Sequence, residues 1–517
     1  MQQIGFKNFR RFEDFPSISF SPITLLVGEN NAGKSTVVKA ILSVMAFLRS
    51  GVDPRTGSLL NIPFSFNNSY FTHIGTFARA LCNKAAEGDD RISFAVRLGH
   101  YTLYIVIAGD REDISAVTGR VEFLRIINLF YNYELEYDFK KDNIHAIFHP
   151  QPYFPDLFEK LSTISKKHCN LYQAYFKGLN EDITFDMPID DTWFRPEGCV
   201  LDALFRTFQA RLDATIGIHR EPNAQMIDLA LNKGIALPSS AQPIQGISPK
   251  SLEFLRKKKK YLKTQSSTYR SIIGNPALES EIDEDIEYIY AHAVTQTVVY
   301  SAKDINDYFV KTVHEFANER IPEGSSIHSF ILKWMKEFKI GVNYKMDSLG
   351  GEAHVVKITN FDGNVVNLAD KGMGSIQLMI LLFRLATKMN QRDDRPVNAL
   401  LKPVTIIIEE PEQNLHPMLQ SKLAELFFSM NQDYGFRFII ETHSEYLIRR
   451  TQALVGSSYR DKKDFENPFK VYYFPANGTP YDMPYAKTGR FEEQFGSGFF
   501  DEATKWNREV LRNENAK

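Results

Sequence analysis

Cysteine is scarce in this chain of 517 residues, and neither sign of charge is in clear excess. Cys82, Cys169 and Cys199 lack the spacing of a metal site, and so small and odd a set indicates buried thiols in a reducing compartment. The 61 lysines and arginines nearly balance the 63 aspartates and glutamates, for a formal charge of −2. A nucleic-acid site would therefore have to be a local basic patch.

The chain also lacks a long hydrophobic run. Its most apolar windows, such as the ten residues QLMILLFRLA, are too short to span a bilayer. The N-terminal stretch MQQIGFKNFRRFEDF has no apolar centre of the signal-peptide kind, and no repeat or low-complexity tract is evident. These absences predict a soluble, cytoplasmic protein.

What the chain does contain is a strand and helix pattern that changes character twice. The first part is strand-rich and includes ISFSPITLLVG, which becomes continuously apolar as a buried strand does. The middle part has longer helical patterns, one of which begins at Ile305, and the last part alternates strands with helices. This predicts an α/β domain split by an insertion. The predicted segments are an N-terminal lobe at 1–110, a mixed, mainly helical insertion at 111–340, a C-terminal lobe at 341–490 and a tail at 491–517.

The strongest motif is GENNAGKS, which fits the pattern G-x-x-x-x-G-K-[ST]. In such a loop the backbone N–H groups surround phosphate oxygens, Lys34 reaches the β- and γ-phosphates, and Ser35 ligates Mg²⁺. The apolar strand before the loop and the helix after it favour this interpretation over an incidental glycine-rich turn. The predicted nucleotide contacts are Gly28, Asn30, Asn31, Ala32, Gly33, Lys34, Ser35 and Thr36.

A second motif, TIIIEEPEQNLHP, places two carboxylates at the end of a buried strand. Adjacent strand residues point to opposite faces, which predicts different roles for Glu409 and Glu410. We assign Glu409 to the metal and Glu410 to the attacking water. The alternative is a strand end that is merely solvated.

The third motif, FIIETHSEYLI, is another apolar strand that ends in polar residues. Its His443 follows Glu410 by one helix and one strand. A histidine at a strand end beside a phosphate site can sense the γ-phosphate, whereas an isolated one is more often packed or solvated. The order of the motifs favours the first interpretation, and we predict that His443 is catalytic.

A fourth motif, DKGMGSIQLMILL, is a flexible loop that opens an apolar helix. Gly374 and Ser375 in this loop can present backbone N–H groups and a hydroxyl to an anion. Nothing local says whose phosphate they would contact. A plain helix-capping turn is the alternative.

Taken in order, these motifs resemble the ABC-type ATPase heads of the RecF, Rad50, SMC and OLD families. EEPEQNLHP is most similar to the OLD-like ATPases of prokaryotic defence, in particular the PtuA group of Septu and retron-associated systems. IGIHREP resembles an element that would direct Arg220 toward the nucleotide, and FEEQFGSGFFDEA resembles a C-terminal segment of such ATPases. The resemblance implies a split P-loop ATPase head that binds ATP with Mg²⁺.

The resemblance also implies a homo-oligomer, a dimer of heads or larger, in which two copies dock head to tail. Gly374 and Ser375 would then act in trans on ATP held by Lys34 of the other copy. About 70 residues follow FIIETHSEYLI without a nuclease carboxylate set, so that a nuclease-type effector is expected to be a separate chain. The implied function is an ATP-hydrolysing regulator or sensor in anti-phage defence. The alternatives are a RecF- or SMC-like DNA-repair ATPase and a slow structural scaffold.

A basic run, RKKKKYLK, begins at Arg256 and ends at Lys263. It could bind the phosphates of a nucleic acid, or it could be one solvated face of a helix. The acidic stretch ESEIDEDIEYIY follows and could pair with it. The sequence therefore leaves nucleic-acid binding open.

Overall fold

The chain forms two compact units. The first comprises Met1–Ser19 and Thr36–Asp283, and the second comprises Phe20–Ser35 and Glu284–Lys517. The computed structural model describes residues 1–50, 62–67, 74–99, 101–128, 133–149, 182–189, 204, 249, 252–253, 285–290, 297–393, 404–462 and 464–515.

The described residues form both β-strands and α-helices. The strands are β1 (Gln3–Phe9), β2 (Phe12–Ser19), β3 (Ile23–Gly28), β4 (Pro63–Ser65), β5 (Arg91–Leu98), β6 (Tyr101–Ala108), β7 (Thr118–Asn128), β8 (Tyr133–Asp138), β9 (Asn143–Phe148), β10 (Ile183–Pro188), β11 (Asp285–Tyr290), β12 (Tyr300–Ser301), β13 (Asn343–Leu349), β14 (Ala353–Thr359), β15 (Val365–Asn367), β16 (Val404–Glu409), β17 (Arg437–Glu441), β18 (Phe469–Phe474) and β19 (Tyr481–Asp482). The helices are α1 (Lys34–Arg49), α2 (Phe77–Ala80), α3 (Tyr308–Asn318), α4 (Ser326–Glu337), α5 (Met373–Asp393), α6 (Pro417–Tyr434), α7 (Glu445–Asp461) and α8 (Glu502–Asn515).

The first unit is built on an antiparallel sheet with the strand order β10-β9-β8-β7-β6-β5-β1-β2, and β4 pairs with β7. Buried and more exposed residues alternate along strands such as β5, because one face of the sheet packs on apolar side chains. Phe6 stacks on Phe15 with 4.3 Å between ring centroids, and Phe64 stacks on Phe94 at 5.6 Å. Phe47 of α1 packs on Phe64 at 5.3 Å, which anchors the helix that follows the phosphate loop.

The second unit contains a mainly parallel sheet with the strand order β11-β16-β17-β3-β18-β19. Neighbouring strands run parallel except for β18 and β19. Every residue of β3 is buried, and so are all residues of β16 except its last, as is typical of parallel strands covered on both faces. Because the carboxyl ends of parallel strands meet at one edge of a sheet, β3, β16 and β17 deliver their last residues to the same place.

A smaller antiparallel sheet and the helices α3, α4 and α5 also contribute to the core of the second unit. The sheet has the order β12-β14-β13, with β15 beside β14, and α5 packs against α3 and α4. Phe316 of α3 stacks on Phe383 of α5 with 4.1 Å between ring centroids. The helical pattern predicted from Ile305 starts too early. Asp307 accepts two backbone N–H groups of the first turn and caps α3, so that Ile305 lies exposed before the helix.

The fold class is α/β with a P-loop, as the sequence predicts. In the part of the predicted insertion that the structure describes, β7 to β10 are strands that extend the sheet of the first unit, and the helices there are α3 and α4. The predicted segment boundaries stay predictions. Among the described residues, no helix has the length and apolarity needed to cross a membrane.

Candidate nucleotide-binding site

The loop between β3 and α1 turns sharply at two glycines. Gly28 has a φ of +139°, and a Cβ there would lie 2.1 Å from the carbonyl oxygen of Phe474 at the end of β18. Gly33, directly before α1, has a φ of +103°. Glycine adopts such angles without the strain that a side chain would bring, which explains both glycines of the motif. Four other residues are predicted to contact the nucleotide. Asn30 and Asn31 are exposed, whereas Ala32 and Thr36 are buried.

The side chain of Lys34 is buried and lies against the loop that precedes it. Its Nζ donates hydrogen bonds to the carbonyl oxygens of Gly28 at 3.1 Å and of Glu29 at 2.7 Å. Burial lowers the pKa of Lys34, and the carboxylates of Glu441 and Glu410 oppose that shift. A phosphate group offers the same ammonium a charged acceptor, which makes a stronger hydrogen bond than a neutral carbonyl oxygen.

The hydroxyl of Ser35 donates a 2.9 Å hydrogen bond to Oε1 of Glu441, the last residue of β17. Glu441 is 4% exposed, and within the described residues its Oε2 has no hydrogen-bond partner. Burial, followed by the negative charge of Glu409, raises the pKa of Glu441 to about 7. No role is predicted for Glu441 from the sequence motifs. The signal was nevertheless present, because Glu441 ends an apolar strand just as Glu409 does.

Glu409 and Glu410 end the neighbouring strand in two different ways. Glu409 pairs in register with Glu441, so that two carboxylates share the sheet edge. Glu410 has a φ of +45°, in the left-handed region, and its N–H donates to the carbonyl oxygen of Glu441 at 2.7 Å. A backbone turn therefore separates the two side chains, rather than the strand pleat assumed from the sequence. Non-glycine residues in this region carry strain that is often found at functional sites.

His443 faces Glu410, with 3.6 Å between Nε2 of the histidine and Oε1 of the glutamate. The other oxygen of Glu410 accepts a hydrogen bond from the amide of Gln413. Burial and the charge of Lys34 lower the pKa of His443, against the effect of Glu410. The backbone N–H of His443 donates to Oε1 of Glu412 at 2.6 Å, and burial raises the pKa of Glu412.

The donor atoms of this site fit a nucleotide-bound Mg²⁺. Glu410, Glu441 and His443 each offer one ligand atom, and these three atoms lie within 4.8 Å of one another. Ser35 adds a hydroxyl through its bond to Glu441. Mg²⁺ prefers oxygen donors and is usually held by one or two carboxylates together with phosphate oxygens. Oε2 of Glu441 is buried without a hydrogen-bond partner in the described part of the chain, and coordination to such an ion would give it one.

Gly374 and Ser375 lie in the first turn of α5. Both are half-buried, whereas Gly372 and Met373 before them are exposed. The N–H of Ser375 donates to the carbonyl oxygen of Gly372 at 2.8 Å, which is the hydrogen bond of a capping turn. That bond leaves the hydroxyl as the group of Ser375 that an anion could contact.

The start of α5 is fixed on the segment that follows β16. A Cβ on Gly374 would lie 2.6 Å from the carbonyl oxygen of Asn414, so the close approach requires glycine. The amide of Gln377, one turn further, donates to the carbonyl oxygen of Pro411 at 3.3 Å. This connection between the fourth motif and the segment of Glu410 is not evident in the sequence.

Two predicted contributors lie outside the described residues. Arg220 is one, and the basic run from Arg256 to Lys263 is the other. Their suggested contacts with nucleotide and nucleic acid stay predictions.

A phosphate loop at the carboxyl edge of a parallel sheet, with acidic strand ends beside it, defines the P-loop class of nucleotide-binding proteins. The chain belongs to the AAA ATPase domain family AAA_15, whose family model matches residues 1–448. No curated protein matches the chain.

Two solved structures are similar to this chain at low identity. One is the Smc head domain with an extended coiled coil bound to the C-terminal domain of ScpA, derived from Pyrococcus furiosus, at 12% identity and a TM-score of 0.33, with 99% of each chain covered. The other is the SmcHead bound to the C-winged helix domain of ScpA, at 11% identity and a TM-score of 0.34, with 93% of this chain and 96% of that chain covered.

Proposed function

We propose that the protein binds ATP with Mg²⁺ and hydrolyses it. The observation that carries this proposal is the meeting of two groups of side chains at one sheet edge. Lys34 and Ser35 come from the phosphate loop, and Ser35 is hydrogen-bonded to the end of β17. Glu410 and His443 follow β16 and β17 and lie 3.6 Å apart. This set supplies a phosphate-binding cation, metal ligands and a group to orient water.

Each side chain then has one task. Lys34 binds the β- and γ-phosphates, and Ser35 and Glu409 hold the metal. Glu410 orients and polarises the attacking water, and the imidazole of His443 contacts the γ-phosphate. When bound, Mg²⁺ offsets part of the negative charge on the phosphate oxygens.

Nucleotide binding is tested directly with Lys34→Ala. Hydrogen bonds to charged groups are worth about 1.5–3 kcal/mol each, so we expect affinity for a fluorescent ATP analogue to fall by roughly 10- to 100-fold or more. Lys84→Ala is the matched control, since Lys84 is an exposed lysine of the first unit. Equal affinity in the wild type and Lys34→Ala would contradict the assignment of the phosphate loop.

We further propose that two copies form composite sites, with Gly374 and Ser375 of one chain contacting ATP held by Lys34 of the other. Two features support this. The residues before Gly374 are exposed, and the helix start is fixed on the segment that carries Glu410. A contact across the interface would therefore act on the segment that orients the water.

The biological role that we infer is an ATP-driven regulator or sensor of anti-phage defence that controls a separate nuclease-type effector. Support comes from the similarity of EEPEQNLHP to the OLD-like defence ATPases. The second candidate is a RecF- or SMC-like DNA-repair or maintenance ATPase. The six cations between Arg256 and Lys263 favour that candidate, because such a run binds nucleic-acid phosphates.

Purification of the native complex separates the two roles. We expect a nuclease-type chain to co-purify in fixed ratio. Its retention should differ between Lys34→Ala, which weakens ATP binding, and Glu410→Gln, which binds ATP but turns it over slowly. If both variants retained the same amount of the nuclease-type chain, control of the effector by the nucleotide would be contradicted. Salt-sensitive retention of DNA without a protein partner would favour the repair role.

A further inference from the structure

The strand order of the parallel sheet places Glu441 nearer to the phosphate loop than Glu409. β17 lies between β16 and β3, and Glu409, Glu441 and Leu26 are partners across the three strands. With strands about 4.8 Å apart, Glu441 lies one spacing from β3 and Glu409 lies two, roughly 5 Å and 10 Å. A cation held by Ser35 is therefore closest to Glu441.

The two carboxylate oxygens of Glu441 have different surroundings. Oε1 accepts the hydrogen bond from Ser35 at 2.9 Å, which leaves the lone pairs of the serine oxygen available to a metal. Oε2 is buried and has no hydrogen-bond partner among the described residues. A buried carboxylate oxygen without a partner is costly, and a coordinated cation removes that cost.

The nearest ammonium group does not fill this role. Nζ of Lys34 donates to the carbonyl oxygens of Gly28 and Glu29, and the interaction of Lys34 with Glu441 is one of charge at a distance. Across the site, Glu410 and His443 place their own donor atoms within 4.8 Å of the Glu441 carboxylate. The carboxylate that carries the unpartnered oxygen thus lies beside two further groups able to bind a metal.

We propose that Glu441 is a carboxylate ligand of the nucleotide's divalent cation, with Ser35 as its hydroxyl partner. This inference rests on the proposed ATP site and deepens it, because it moves the main acidic ligand from β16 to β17. Glu409 then supports the site from the neighbouring strand through its charge.

The test uses the full-length protein, Mn²⁺ as the probe and a saturating non-hydrolysable ATP analogue. Bound Mn²⁺ is counted by electron paramagnetic resonance. For Glu441→Gln, which preserves the shape and the acceptor for Ser35, we expect Mn²⁺ affinity to fall by at least about 10-fold, since even outer partners of metal ligands are worth about 10- to 100-fold. Metal-free binding of the nucleotide, measured in EDTA, should stay equal or become tighter because a negative charge is removed.

Glu425→Gln on α6 is the matched control, since Glu425 pairs with Lys422 and Arg450 away from this edge. Should Glu441→Gln fail to fold, Glu441→Asp keeps the charge and withdraws it by one methylene, and Mn²⁺ affinity should again fall. Wild-type Mn²⁺ affinity in a folded Glu441 variant overturns the inference. A wild type that binds no nucleotide overturns the proposed function instead, so the two failures are distinguishable.

Discussion

Glu410 holds a left-handed backbone conformation that its place after an apolar strand does not suggest. Such a conformation costs about 1–3 kcal/mol in a non-glycine residue and persists when its surroundings impose it. Here the backbone N–H bonds to the carbonyl oxygen of Glu441, and the carboxylate accepts from Gln413. The carboxylate is therefore positioned from two sides, as a group that orients water requires.

Glu410→Gln should bind ATP as the wild type does and turn it over about 10²–10⁴-fold more slowly. The amide keeps the shape and the backbone contacts but removes the charge that polarises water. Single-turnover hydrolysis and binding of a fluorescent ATP analogue measure the two effects separately.

Glu409→Gln is the informative comparison for that experiment. It removes a carboxylate from the same motif and should act mainly through metal binding. Near-normal turnover in Glu410→Gln, together with a severe loss in Glu409→Gln, would reverse the roles that we give to the two residues.

The residues of the site differ in how visible they are in the sequence. Lys34 and Ser35 are found from spacing alone, because a phosphate loop needs its glycines, lysine and hydroxyl in a fixed order. Glu441 has the same local signal as Glu409, yet its contact with Ser35 depends on which strand lies beside β3. The order of strands in a sheet is a long-range property, and no local pattern reports it.

At the scale of elements, α5 joins the fourth motif to the segment after β16. Gly374 permits the close approach to Asn414, and Gln377 bonds to Pro411. We therefore expect a displacement of the helix start to displace the loop of Glu410 as well. A change at either end should alter the geometry of the other.

Gly374→Ala should reduce ATP turnover and lower the free energy of unfolding by about 1–3 kcal/mol, the usual cost of overpacking. The cause is the added Cβ, which would lie 2.6 Å from a backbone oxygen that cannot easily move aside. Thermal unfolding and steady-state hydrolysis report the two effects.

Gly372→Ala is the matched control, because a Cβ at Gly372 would meet nothing within 4 Å. We expect its stability to stay within about 0.5 kcal/mol of the wild type. If Gly374→Ala were equally harmless in both measurements, the close packing of α5 would not matter for the site.

Elements were predictable where a pattern is local and strong. β16 and β17 are apolar runs that end in a glutamate, β3 is an apolar run that ends at Gly28, and each is a strand of the parallel sheet. The start of α3 was not predicted, since the apolar repeat continues back through Ile305 while the cap at Asp307 fixes the first turn. The N-cap, and not the apolar periodicity, therefore determines where α3 begins.

At the scale of the molecule, two-fold symmetry makes the composite-site proposal testable by mixing inactive chains. A Lys34→Ala chain combined with a Ser375→Arg chain forms one interface with neither lesion and one with both. With random pairing of equal amounts and independent sites, we expect about a quarter of wild-type hydrolysis. Hydrolysis by each chain alone and by the mixture is the measurement.

Tagged Lys34→Ala mixed with untagged Lys34→Ala gives the baseline and shows that chains exchange. If the two different variants co-assemble but the mixture stays inactive, Ser375 does not act in trans. Hydrolysis by a wild-type monomer at full rate would lead to the same conclusion.

Sheet register decides where this chain tolerates a change of length. Glu441 reaches Ser35 because β17 is paired residue for residue with β3 from Phe438 onward. Adding or removing one residue inside β17 would turn the side chains beyond it to the opposite face, and the site would be lost although every functional residue remained in the sequence. The turn between β6 and β7, where Ile114 is 82% exposed, is not a paired strand, so an added residue there does not shift a strand register. Insertions should therefore be accepted there and rejected in β17.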